Sequence, residues 1–118
     1  MPALKIDAEV SFAQLDRPLL FLLERMQPFG ADNPSPLFVA RDVNTRSPRA
    51  MGKEGDHLRF MLEQNRVLRG GVAFRQGKQW AGKMPPRVDI AFAFEWNEYN
   101  GERAMQLNVK DIRPARSA

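Results

Sequence analysis

Val88-Asp89-Ile90-Ala91-Phe92-Ala93-Phe94-Glu95-Trp96 alternates a bulky apolar side chain with a smaller or charged one at every step, and Asn97-Glu98-Tyr99-Asn100-Gly101 follows it directly. A period of two marks a strand with one buried face, here carrying Val88, Ile90, Phe92, Phe94 and Trp96. The Asn-Gly pair supplies residues that accept positive φ, so the stretch predicts a strand running into a hairpin loop over 97–101. The returning strand spans about Arg103 to Ile112, and Arg113 to Ala118 reads as a frayed tail.

Working upstream, three more strands precede this hairpin. Leu37 to Val43 is the first, continuing irregularly through Arg46–Met51. His57 to Leu62 is the second, with Leu58, Phe60 and Leu62 facing one way and His57, Arg59 and Met61 the other. Val67 to Phe74 is the third, with Leu68, Val72 and Phe74 expected on the core face and Arg69, Gly71 and Ala73 opposite. Glu63-Gln64-Asn65-Arg66 joins the second and third as a tight turn, and Gly70-Gly71 is expected to mark a bulge or a barrel bend. The polar segment Arg75–Arg87 has room for a short helix at most.

Further upstream, Ile6-Asp7-Ala8-Glu9-Val10-Ser11-Phe12 alternates like a half-buried strand. Asp16-Arg17-Pro18 reads as a helix start, because Asp16 can cap free N–H groups and Pro18 needs no donor in the first turn. Leu19, Leu22, Leu23 and Met26 form the expected apolar stripe of a helix over Asp16–Gln27. Pro28 to Pro36 is a rigid connector.

The chain is therefore expected to be mainly β: a five-stranded barrel over residues 36–113, an N-terminal strand, helix and connector over 1–35 packing on it, and a tail at 114–118. Five strands with the longest insertion between the third and fourth match an OB-fold barrel, with an SH3-like or other small barrel as the alternative.

With 118 residues, 43% of them hydrophobic, the chain suits one packed domain. There is no cysteine and a single histidine, His57, which excludes thiolate chemistry, disulfides and multi-histidine metal sites within the chain. The absence of disulfides is compatible with a reducing cytoplasm. No apolar run reaches the roughly 18–20 residues of a membrane helix, and Met1-Pro2-Ala3-Leu4-Lys5 does not read as a signal peptide. The carboxylate pairs Asp7/Glu9 and Glu95/Glu98 read as solvated charge, and no catalytic residue is assigned.

Charge distribution says more than the net charge of +4. Residues 46–87 hold 10 Lys/Arg against 3 Asp/Glu, a net of +7, whereas residues 1–35 and 88–114 are each at −2. A basic middle between mildly acidic ends suggests a polyanion-binding face. The candidate phosphate contacts are Arg46, Arg49 and Lys53 between the first two strands, Arg59 with His57 on the second, Arg69 on the third, and Arg75, Lys78, Lys83 and Arg87 in the following connection. Trp80 and Tyr99 are the candidate base-stacking platforms.

Pro28-Phe29-Gly30-Ala31-Asp32-Asn33-Pro34-Ser35-Pro36-Leu37-Phe38 resembles the PFGxxNPxPxF segment that opens the C-terminal OB domain of the bacterial RecJ family. Gly52-Lys53 with His57-Leu58, Val72-Ala73-Phe74, Asn97–Gly101 with Gln106–Ile112, and Ile6–Val10 resemble further elements of the same domain in the same order. The resemblance spans nearly the whole chain. It implies a domain excised from a single-strand-specific 5′→3′ exonuclease of DNA repair and recombination, acting in the bacterial cytoplasm. The implied cofactor, manganese or magnesium, would belong to catalytic DHH and DHHA1 domains absent from this sequence, with no cofactor or metal in this chain. The implied partners are single-stranded DNA, the catalytic domains of the parent chain and single-stranded DNA-binding protein, with no membrane involved. A docking module without strong DNA binding is the alternative role.

Overall fold

The computed structural model describes residues 6–27, 35–53, 55–80 and 82–116, with Tyr99 described by its backbone alone. The elements are β1 (Ala8–Glu9), α1 (Arg17–Arg25), β2 (Phe38–Met51), β3 (His57–Gln64), β4 (Val67–Ala73), α2 (Gly77–Trp80), β5 (Arg87–Tyr99) and β6 (Glu102–Pro114). A short 3-10 turn, Phe12–Gln14, precedes α1.

The strand order is β1-β2-β3-β4-β6-β5, and β2 also pairs with β5. That second pairing closes β2, β3, β4, β6 and β5 into a five-stranded barrel with β1 added outside. The barrel is antiparallel except at β4–β6, a parallel pair joined at Gly71↔Leu107 and Val72↔Asn108. This is an OB fold with the expected five strands, and the SH3-like alternative is set aside.

One strand can serve two neighbours because β2 is long and irregular. Its first half pairs with β5 and its second with β3, with register breaks between Ala40 and Val43 and between Arg46 and Arg49. The β3–β4 and β5–β6 hairpins each turn on two residues with positive φ, Asn65-Arg66 and Asn100-Gly101. That pairing of signs matches the right-handed twist of the flanking strands. The second turn is tighter than expected, because β5 continues through Tyr99, which pairs with Glu102.

The core is built from the predicted alternations. Leu58, Phe60 and Leu62 of β3 are buried, as are Val88, Ile90, Phe92 and Phe94 of β5 and Leu107, Val109 and Ile112 of β6. At β4 the expected parity is reversed. Leu62 lies directly opposite Arg69, Phe60 opposite Gly71 and Leu58 opposite Ala73, and residues opposite each other in a ladder share a face. Arg69, Gly71 and Ala73 therefore point inward, while Leu68 and Phe74 are exposed; Val72, also expected in the core, is buried although it lies opposite Arg59. The β3–β4 register runs without a break through Gly70 and Gly71, so these glycines mark no bulge.

The N-terminal segment departs from the expected long strand. Only Ala8–Glu9 pairs with β2, in parallel, and Phe12 turns away into the 3-10 turn. Phe12 and Leu15 are fully buried and close one end of the barrel. Gln64 accepts a hydrogen bond from the Phe12 N–H at 2.7 Å and donates one to the Arg41 carbonyl at 2.7 Å.

Asp16 caps α1 as expected, its Oδ1 accepting the Leu19 N–H at 3.0 Å. The packed face of that helix, however, is Leu20 and Leu23 with Leu19 half-buried, while Leu22 and Met26 are exposed. Trp96 decides the rotation: it carries Phe21 at a ring-centroid distance of 5.3 Å and Arg103 at 4.2 Å, and Arg103 in turn bonds Glu24 at 2.5 Å. At the other terminus, β6 runs through Arg113 and Pro114 instead of fraying, and the Ala115 N–H still donates to the Arg87 carbonyl at 3.0 Å. The connector residues 28–34, which carry most of the Pro-rich motif, lie outside the described residues. Among the described residues, no helix is long and apolar enough to cross a membrane.

Candidate nucleic-acid interface

The outward face of β3 is set by the alternation that buries Leu58, Phe60 and Leu62. It presents Arg59 and Met61, and both are exposed. Past the break in β2 register, Arg49 lies directly opposite Arg59. Neither guanidinium has a carboxylate partner among the described residues. On the other side of β3, Arg59 faces Val72 and Met61 faces Gly70.

These residues border a groove of about 460 Å³. Ser47, Arg49 and Arg59 form one side; Asn97, Ala104 and Gln106 form the other, brought there by the β5–β6 hairpin. Met61 and Gly70 lie between them, with Phe60, Gly71 and the core-packed Met105 beneath. Cations on one wall, amides on the other and the Met61 thioether between can take an anionic backbone along one side and a flat apolar group in the middle.

The other candidate residues fall into three groups. Arg46 is exposed but engaged, its Nη2 donating to Glu63 Oε1 at 2.9 Å. Lys78 sits 3.5 Å from Asp56, and Arg87 pairs with Asp42. These ion pairs are exposed and worth little, so each cation remains exchangeable for phosphate. Lys53, Arg75 and Lys83 are exposed with no side-chain partner among the described residues.

The third group is structural. His57 accepts the Arg75 N–H on Nδ1 at 3.1 Å and meets Phe74 edge-on at 5.3 Å. Its ring also packs beneath Gly52, where a Cβ would come within 3.1 Å of it; Gly52 itself has φ +93. His57 thus fastens the β2–β3 loop to the end of β4. In the neutral ring this arrangement requires the proton on Nε2.

Two expectations are corrected. Arg69 does not face outward: Nε and Nη2 donate to the Leu15 carbonyl at 3.0 and 2.6 Å, and Nη1 to the Leu68 carbonyl at 2.7 Å. Burial lowers its pKa from the ordinary arginine value, with Asp16 acting in the opposite sense. Its guanidinium holds the plug at the barrel end. Trp80 is not an open stacking platform either. Its indole packs against the core from α2, and its N–H is enclosed without a hydrogen-bond partner among the described residues. For Tyr99, the backbone ends β5 and the side chain lies outside the description.

Sequence reasoning missed Met61, Gly70, Asn97 and Gln106. Met61 shares the parity of Arg59 and could have been found from that. Among the described residues, no three His, Cys, Asp or Glu side chains come together to hold a metal ion.

The family model for the RecJ OB domain matches residues 6–111. The single-stranded-DNA-specific exonuclease RecJ of Thermus thermophilus is 35% identical over 91 residues, covering 77% of this chain and 12% of that protein. The RecJ exonuclease of Salmonella typhimurium is 30% identical over 111 residues, covering 92% of this chain and 19% of that protein. The chain thus spans between an eighth and a fifth of these relatives. The crystal structure of Thermus thermophilus RecJ in complex with Mg2+ superposes with a TM-score of 0.66 at 28% identity, over 92% of this chain and 16% of that one.

Proposed function

This chain belongs to the RecJ OB-domain family, and we propose that it grips single-stranded DNA across the outward face of β3 and β4. The observation that carries this reading is the cross-strand pair Arg49↔Arg59. Like charges directly opposite each other oppose folding, and a phosphate backbone laid between them reverses the sign of that interaction. Lys53 on the adjoining loop extends the cationic side. Arg46, Arg75, Lys78, Lys83 and Arg87 supply the wider field that draws a polyanion in, and Tyr99 at the hairpin tip is the remaining stacking candidate.

In this reading the domain has no nuclease chemistry of its own. It holds the strand for catalytic, metal-binding parts of a longer cytoplasmic RecJ protein in DNA repair and recombination. Those catalytic parts and single-stranded DNA-binding protein are its proposed protein partners. A docking role is favoured by a different observation: α1 leaves Phe21 and Leu22 48% and 54% exposed on one surface, a place where an apolar partner would gain area.

The test is a fluorescence-anisotropy titration of the chain with single-stranded and duplex oligonucleotides over a salt series, and with manganese to monitor cleavage. Tighter binding of the single strand, a steep salt dependence and no cleavage are expected. A folded chain that binds neither oligonucleotide at low salt would leave the docking role, and cleavage retained at constant specific activity through purification would overturn the non-catalytic one.

A further inference from the structure

Gly70 and Gly71 are adjacent, but the fold requires only one of them. A Cβ at Gly71 would lie 2.8 Å from Leu62 Cδ1 and 3.1 Å from Phe60 Cε1, so the core itself excludes a side chain there. A Cβ at Gly70 would meet nothing within 4 Å, and Gly70 is not among the glycines with positive φ. Neither packing nor backbone conformation accounts for it, although a glycine inside a strand forgoes side-chain contacts and carries an entropic cost.

The empty space over Gly70 lies at a particular place. The parallel β4–β6 ladder is joined only at Gly71↔Leu107 and Val72↔Asn108, and Gly70 and Gln106, one residue earlier on each strand, both border the groove. Met61, directly across from Gly70, is 40% exposed. Gln106 stands on the β6 side of Gly70 and Asn97 also borders the groove, whereas Met105, with the parity of Leu107, packs against the core.

Resting on the reading of this groove as a DNA path, we infer that the space above Gly70 is a pocket for an unstacked nucleobase, with Met61 on one side and Gln106 on the other. A thioether packs favourably against an aromatic ring. A carboxamide offers both a donor and an acceptor to a base edge. The groove volume of about 460 Å³ falls within the usual range of small-ligand clefts. Only a single strand presents a base free of pairing and stacking, so the pocket supplies strand selectivity that phosphate contacts alone do not. The glycine keeps the pocket open.

The experiment compares an oligothymidylate with an abasic oligomer of equal length and charge, using the unaltered chain and Gly70→Val. The unaltered chain is expected to bind the base-bearing oligomer about 5- to 150-fold more tightly, the span that one stacked base provides. Gly70→Val is expected to lose that preference while keeping the salt slope and the melting temperature. Equal binding of both oligomers by the unaltered chain, with a normal salt slope, overturns the pocket and leaves the cationic face standing. Undiminished preference in Gly70→Val likewise overturns the pocket. No binding of either oligomer by the unaltered chain removes both readings together. The oligomer comparison on the unaltered chain decides the matter even where the variant does not fold.

Discussion

Replacing both Arg49 and Arg59 with alanine tests the cationic wall most directly, because the structure assigns them no task in folding. The two residues are exposed and opposite each other, and no ion pair among the described residues involves them. Removing the pair relieves a like-charge juxtaposition, so the thermal midpoint should stay level or rise slightly. Binding should change in a way that can be calculated. Each phosphate contact on a single strand contributes about 0.7 to the slope of log affinity against log salt. Two lost contacts lower the slope by about 1.4. Between about 50 and 200 mM salt, a span of about 0.6 log units, the parent should lose roughly sevenfold more affinity than the variant. Anisotropy titrations at four or five salt concentrations resolve this, with the corresponding double lysine variant as the charge-preserving control. A variant whose titrations run parallel to the parent's at every salt concentration would refute the assignment. So would weakened binding accompanied by a matching loss of thermal stability, because the arginines would then be serving the fold.

Three further outcomes follow from the packing. Arg69→Met should lower stability by about 1–2 kcal/mol, because the Leu15 carbonyl loses its charged donor, yet leave the salt slope unchanged; denaturant unfolding paired with the same titrations separates these effects. Leu23→Ala should cost about 2–4 kcal/mol as a buried truncation, while Leu22→Ala should stay within about 0.5 kcal/mol; equal urea midpoints for the two would show that the helix face is misassigned. Gly71→Ala should destabilise by about 1–3 kcal/mol through its clash with Leu62 and Phe60, whereas Gly70→Ala should be neutral or stabilising, as read by thermal melting.

The barrel was legible wherever one parity was apolar and the other was not. Val88–Trp96 and His57–Leu62 each admit one choice of buried face, and Asn100-Gly101 one kind of turn. Where both parities are apolar, the pattern is silent. Leu19-Leu20-Phe21-Leu22-Leu23 is apolar on every side, so the position of Trp96 on the barrel selects the face that packs. In Val67–Phe74 the charge of Arg69 suggested an outward position. The register against β3 placed it opposite Leu62 instead, where a carbonyl at the barrel end satisfies it. The Arg49↔Arg59 pairing was hidden for a different reason. It depends on the break in β2 between Arg46 and Arg49, and a one-residue shift of register reverses every side chain beyond it.

Unusual residues in this chain divide according to whether the fold accounts for them. An inward arginine, a strand glycine and a loop tryptophan all look like functional signals in one dimension. Yet Arg69 is consumed by the Leu15 carbonyl, Gly71 by Leu62 and Phe60, and Trp80 by the core. Among the features the fold leaves unexplained are Arg49 facing Arg59, Gly70 above open space, and Met61 exposed on the same face. Departures from folding rules without a structural compensation tend to gather where a ligand supplies it. These three features border one groove. The proposed partner would bring negative charge to one wall and a flat apolar group to the floor, and a single nucleic-acid strand carries both on every residue.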